Sequence, residues 1–283
     1  MNKVVRPLAL FAFLSACGFA DASVEETDDS ISYAFSSLLG TGYYEVKGDK
    51  LFLMTLPLSW QTESMAEGNR PWTLLLPVSV SLTRINELIE SLPKTTYLEA
   101  LDEEVRALTF APGVEWSIPL HYDWLVKPYV QAGMAWDAAA RQSSYLCFVG
   151  ATARRSWDLD GHRLTWGNGL SGAYQEVRHG NDRSSLLMLQ TGVDYEFDEW
   201  FRLVGHEVTP SLFVLGQHFS DALQTERTQV ERVPVENMLH LGFTVGFREE
   251  RSLMGIPYQR VGLSLVRGSN NLKAVSLNLG FWL

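Results

Sequence analysis

The stretch of this chain best suited to chemistry is Gln217-His218-Phe219-Ser220-Asp221. A serine hydroxyl is a weak nucleophile until a neighbouring imidazole takes its proton. Residues two apart on a strand share one face, so a strand here would bring His218 and Ser220 within reach of each other. The chemistry would be acyl transfer through a serine ester. A third group must orient the imidazole. Asp221 follows at once, and Glu226, Glu231 and Asn237 are the other candidates, none at a spacing that singles it out. The competing account, and the preferred one, is that these are polar residues at a strand end and that the chain has no catalytic site.

Other groupings are weaker. Asp158, Asp160 and His162 could hold a metal or activate water, but Asp160-Gly161 between two alternating runs is first a hairpin turn. Glu25, Glu26, Asp28 and Asp29 would need further oxygen ligands to bind calcium and read as a solvated stretch. Arg154 and Arg155, with Trp157 close behind, anchor a strand end or carry inward charge that tunes a pore. The sequence has no zinc-spaced Cys/His set, no phosphate-cradling glycine loop and no dinucleotide fingerprint, so no cofactor or metal is expected. The net charge of −10, with no Lys/Arg-rich tract, speaks against nucleic acid as a partner. Two cysteines make no disulfide framework, and Cys147 reads as a small apolar side chain in an apolar segment.

The elements that carry these residues are strands. After the N-terminus no run of 18 apolar residues occurs, which argues against membrane helices. Strict alternation recurs instead. Val275, Leu277, Leu279, Phe281 and Leu283 alternate with Ala274, Ser276, Asn278, Gly280 and Trp282. Leu239, Leu241, Phe243, Val245 and Phe247 alternate with His240, Gly242, Thr244 and Gly246. The second face is Gly, Ser, Thr and Gln with scattered charge, which suits the crowded, wet interior of a closed barrel better than bulk water. A sheet crosses a bilayer only by closing, because every backbone group must be paired there. The expectation is therefore an all-β transmembrane antiparallel barrel. About twelve segments fit the pattern, near 41–47, 50–60, 70–84, 104–119, 124–136, 143–154, 162–175, 185–196, 206–218, 237–248, 256–267 and 272–283. A soluble barrel or sandwich is the alternative.

An even strand count puts both ends of the barrel domain on one side, which makes 85–103 and 219–236 long outer loops and 120–123 a short inner turn. Trp60, Trp72, Trp124, Trp136, Trp166, Trp200 and Trp282 fall near strand ends, where amphipathic rings form girdles at the lipid headgroups. Residues 28–39 break the alternation. Ile31, Ala34, Phe35, Leu38 and Leu39 recur at helical spacing, so the stretch is either a short plug helix in the lumen or an extension of strand one.

The N-terminus reads as an export signal. Lys3 and Arg6 precede the apolar Leu8–Phe13, and Ala20-Asp21-Ala22 offers a cleavage site. Leu14-Ser15-Ala16-Cys17 offers lipidation at Cys17 instead. Cleavage after Ala22 is preferred, since a barrel needs no lipid anchor. The organisation is then 1–22 signal peptide, 23–40 short N-terminal segment and 41–283 barrel.

With these features together, the chain resembles the autotransporter-type outer-membrane β-barrels of Gram-negative bacteria, and most of all the solitary branch without a passenger domain. The resemblance implies an outer-membrane location, lipid as surroundings and the barrel-assembly machinery as a partner. That machinery would read a terminal strand whose last residues are Leu279, Phe281, Trp282 and Leu283; the usual final Phe is replaced here by Leu283. Fewer than about twenty residues lie between Ala22 and the first expected strand, too few to fold as an exported domain. What remains is a non-enzymatic pore, surface or structural component. The alternative is a lipid hydrolase, because outer-membrane phospholipases and lipid A deacylases carry a His-x-Ser similar to His218 and Ser220, usually followed by Asn where this chain has Asp221.

Overall fold

A strand with one greasy face must hide it or turn it outward, and this chain does the second. The computed structural model describes residues 38–46, 49–61, 71–83, 105–120, 123–137, 141–178, 183–198, 201–203, 206–225, 233–253 and 256–279. Among them run β1 (Gly42–Val46), β2 (Asp49–Leu56), β3 (Ser59–Gln61), β4 (Trp72–Leu75), β5 (Val78–Thr83), β6 (Val105–Phe110), β7 (Gly113–Trp116), β8 (Ile118–Pro119) and β9 (Trp124–Asp137). The longer strands follow: β10 (Gln142–Leu159), β11 (His162–Val177), β12 (Arg183–Glu196), the short β13 (Phe201–Leu203), β14 (His206–Thr225), β15 (Val233–Leu253), β16 (Ile256–Gly268) and β17 (Lys273–Leu279).

All pairings are antiparallel, with short strands sharing a neighbour (β2 with β5, β4 with β7, β12 with β14), and β17 returns to β1 through Gly42↔Ser276 and Glu45↔Lys273, so the sheet closes on itself. Several segments are pieces of one stave. The chain leaves the ladder at Pro57 between β2 and β3, at Pro77 between β4 and β5, and at Pro112 between β6 and β7. Proline has no N–H to give a ladder, which weakens it at these points. Counted as staves, the barrel has twelve strands, one for each alternating segment. β14 and β15 run on to Thr225 and from Val233, so much of the loop expected at 219–236 is strand. The segment expected as the other long loop, 85–103, lies outside the described residues.

Leu189, Val214, Leu241, Phe243, Leu265 and Val275 are exposed, whereas Gln190, Asp194, Ser211, Thr244, Ser264 and Ser276 are buried. That is the inverse of a water-soluble core and the arrangement of a sheet whose outside meets hydrocarbon. It excludes two stacked sheets with the leucines between them.

The end where β16 turns into β17 through Ser269–Asn271 is termed distal, and the end of the Asp160-Gly161 turn proximal. Exposed Trp60, Trp72, Trp116 and Trp166 lie toward the proximal end, with Trp72 opposite Trp116 in the ladder. Trp124 packs edge-on against Trp166 with centroids 5.7 Å apart. Exposed Trp136 and Tyr145 lie toward the distal end. Two aromatic bands at opposite ends fit two membrane interfaces. Trp200 and Trp282 lie outside the described residues.

One expectation needs correction. The interior is small and polar toward the proximal end but mixed toward the distal end, where Gln175 donates to Ser144 in a buried pair. Most of the distal interior side chains, buried Tyr44, Leu146, Phe148, Met188, Phe219 and Met238, form one apolar cluster. Near the distal strand ends both faces are apolar, as in Leu186-Leu187-Met188-Leu189, so alternation there does not reveal which face turns inward. Leu38 and Leu39 pack against this cluster, and Tyr44 donates from its hydroxyl to the Leu39 carbonyl at 2.5 Å. Gly40, with φ of +79°, makes the turn into β1. Residues 38–40 therefore turn inside the barrel and do not lengthen the strand; the rest of the 28–39 stretch lies outside the described residues. Cys147, expected as a lone apolar side chain, is half-buried on β10 and is not a free thiol.

Candidate functional site

Among the described residues polar side chains gather in the interior and at patches of the outer face, one of them Trp166, Asn168 and Thr191 on β11 and β12 and another on β14 and β15. Inside, the layers follow the barrel axis. Below the apolar cluster, Gln217 on β14 donates to Gln190 Oε1 on β12 at 3.3 Å, and His240 Nε2 on β15 lies 2.9 Å from Gln217 Oε1. Nearer the proximal end, Ser211 and Thr244 share a hydrogen bond of 2.6 Å. Arg260 on β16 donates to Asp194 Oδ2 at 2.7 Å and also bonds Glu196, both on β12 across the barrel interior. Lys127 pairs with Glu115 at 2.8 Å. Buried charges are retained where they are paired; the Arg260 pairs join strands that are not neighbours in the sheet, whereas Lys127 and Glu115 sit on the adjacent β9 and β7. The ties from β16 to β12 brace the polar half of the lumen.

A cavity of about 210 Å³ remains on the other side of the interior, lined by Thr55, Ser79, Thr109, Glu115, Tyr129 and Gln131, with Leu38 and Phe148 at its apolar wall. Tyr129 crosses toward β11 and donates to Ser171 at 2.6 Å. No group of three or more His, Cys, Asp or Glu placed to hold a metal exists among the described residues.

The second outer patch lies toward the distal end of β14, where Leu212, Val214, His218 and Ser220 share the outward face. His218 is opposite Asn237 of β15 in the ladder, and His218 Nδ1 lies 2.8 Å from Asn237 Oδ1. An amide oxygen only accepts, so Nδ1 is the donor in this hydrogen bond and Nε2 is turned away from it. Ser220 Oγ accepts the backbone N–H of Leu187 on β12 at 3.3 Å. Just beyond His218 the β14–β15 ladder slips: β14 runs from His218 to Leu223 while β15 runs only from Asn237 to Val235. Such bulges re-aim side chains and recur beside active sites.

Of the residues singled out in the sequence, His218, Ser220 and Asn237 therefore lie together. The side chain of Asp221 and the residues Glu226 and Glu231 lie outside what is described. Asp158, Asp160 and His162 form a hairpin turn, with Gly161 N–H donating to Asp158 Oδ1 at 3.1 Å. His162 stacks on Tyr195 and accepts the N–H of Asp198 through Nδ1. Arg155 lies over the Trp157 ring, 4.9 Å from its centroid, as an anchor at the proximal rim. Leu279 pairs with Val261; Phe281, Trp282 and Leu283 lie outside the described residues. The Arg260–Asp194–Glu196 cluster was not foreseen. Its only trace in the sequence is that all three fall on the inward parity of their strands.

No family model matches this chain, and no curated protein does. Among solved structures it is similar to the β domain of the Bordetella autotransporter BrkA, at 9% identity and a TM-score of 0.48, over 85% of this chain and 92% of that one.

Proposed function

We propose that this chain is an integral β-barrel of a Gram-negative outer membrane whose own side chains keep its lumen shut at rest, so that it acts as a membrane scaffold or surface component and not as an open pore. The supporting observation is the apolar cluster of Tyr44, Leu146, Phe148, Met188, Phe219 and Met238, which lies across the distal interior. A conducting channel needs a continuous polar path, and this cluster interrupts it. The exposed leucines between two aromatic bands support a membrane as the surroundings.

Planar-bilayer recording of the refolded full chain tests this. Silence, with correct insertion verified by heat-dependent gel mobility, is the expected result. Steady single-channel steps in the unmodified protein would overturn it. Cell fractionation tests the compartment, and recovery in the soluble periplasm would end the outer-membrane assignment. Insertion guided by the barrel-assembly machinery through the terminal strand belongs to the same proposal. Removal of residues 281–283 should slow assembly sharply in cells while leaving refolding into detergent intact.

A further inference from the structure

We propose that His218, Ser220 and Asn237 form a hydrolase site on the outside of the barrel, with Ser220 as nucleophile, His218 as general base and Asn237 as the residue that positions the imidazole, and that its substrate is the acyl ester of a membrane lipid. Three observations carry this. Asn237 holds His218 through Nδ1, which leaves Nε2 as the nitrogen positioned to exchange a proton. Ser220 stands on the same face two residues along, about 6–7 Å away along the strand, a gap an imidazole can bridge. Its oxygen accepts the Leu187 N–H, which fixes the oxygen on the outer face. A neutral asparagine is also the orienting group best suited to a lipid-facing surface, where an unpaired carboxylate would be costly.

The surroundings name the substrate class. Along the outward face of β14 the residues run Leu212, Val214, Gly216, His218, Ser220, and along β15 Phe243, Leu241, Leu239, Asn237. On β16 the outward Leu265 gives way to Arg267, opposite Leu239. The three polar residues thus sit where the greasy belt ends. At that level of a bilayer the acyl esters lie between hydrocarbon and headgroup. A water-soluble ester would have no reason to find this face; a lipid already lies against it.

The reaction balances without any further reagent. Ser220 Oγ attacks the acyl carbon as its proton passes to His218 Nε2. The ester C–O bond breaks, and the leaving alcohol takes that proton. Water then attacks the acyl-serine carbon, giving a proton to Nε2. The Oγ–C bond breaks, the fatty acid departs, and Ser220 regains its proton from the imidazole. This site is independent of whether the lumen conducts, so the bilayer recording above and the assay below fail separately.

The test uses the refolded full chain in mixed micelles of detergent and phosphatidylethanolamine with a labelled acyl chain, together with a fluorophosphonate probe that reacts only with activated serines. The wild type should release labelled fatty acid and take up probe at Ser220. Ser220→Ala should lose hydrolysis by at least about a hundredfold and lose labelling. Asn237→Ala should lower kcat by about tenfold and displace the acid limb of its pH profile, and Asn237→Asp should restore much of the rate. All variants should keep wild-type heat-dependent gel mobility, since the three side chains point away from the packed interior. No fatty-acid release and no labelling by the folded wild type would overturn the proposal. Undiminished hydrolysis by folded Ser220→Ala would overturn it equally.

Discussion

The Phe213 ring occupies the space that a side chain at residue 242 would need. A Cβ built on Gly242 would fall 2.1 Å from Phe213 Cε1, and the two residues are direct partners in the β14–β15 ladder. Both are buried, so the ring has no outward escape. Gly242→Val should therefore destabilise the barrel by about 1–3 kcal/mol or more through overpacking. Gly216→Ala, whose new Cβ would meet nothing closer than 3.8 Å, should be nearly neutral. Urea unfolding of the refolded variants in detergent, followed by tryptophan fluorescence, distinguishes the two.

Arg260 holds two carboxylates of β12, and Asp194 is only 2% exposed. Arg260→Met leaves that carboxylate buried without the cation that bonds it. A loss of about 3–5 kcal/mol is expected. Adding Asp194→Asn to Arg260→Met should recover part of the loss by removing the stranded charge. A double-mutant cycle on the same unfolding assay measures the coupling, and strict additivity would contradict the pairing.

Leu241 lies near the middle of the outward belt and is 59% exposed. If hydrocarbon surrounds it, Leu241→Arg costs about 2–4 kcal/mol in a bilayer. If water surrounded it, the same change would stay within about 0.5 kcal/mol, as surface substitutions do. Unfolding from phospholipid vesicles separates these outcomes and tests the membrane assignment at a single residue.

Phe148 and Phe219 both belong to the apolar cluster that lies across the distal lumen. Replacing both with serine should open a hydrated path and give single-channel steps in planar bilayers where the wild type is silent. Each change should also lower stability by several kcal/mol, since a buried ring is lost. A folded double variant that stays silent would mean that other residues close the lumen.

The strand pattern was legible from the residues alone because period two is a local property. A leucine at every second position of β15 needs no knowledge of its neighbours to be read. Prolines marked weak points without deciding them: the ladder breaks at Pro77 and Pro112 but runs on through Pro128 and Pro210. The polar interior was legible where the second face is unambiguous, as at Ser264 and Ser276, and was misread at the distal end, where both faces are apolar. The candidate site was half legible. His218 and Ser220 share a face by spacing, but four residues competed to orient the imidazole.

Only tertiary structure selected Asn237, since it is the register of β14 against β15 that sets it opposite His218. The same holds for Arg260 and Asp194, which lie 66 residues apart in sequence. A sequence states which side chains share a face of one strand. Which of them meet depends on how strands are staggered and where the sheet closes, and those follow from the whole ring of twelve staves packing and pairing at once.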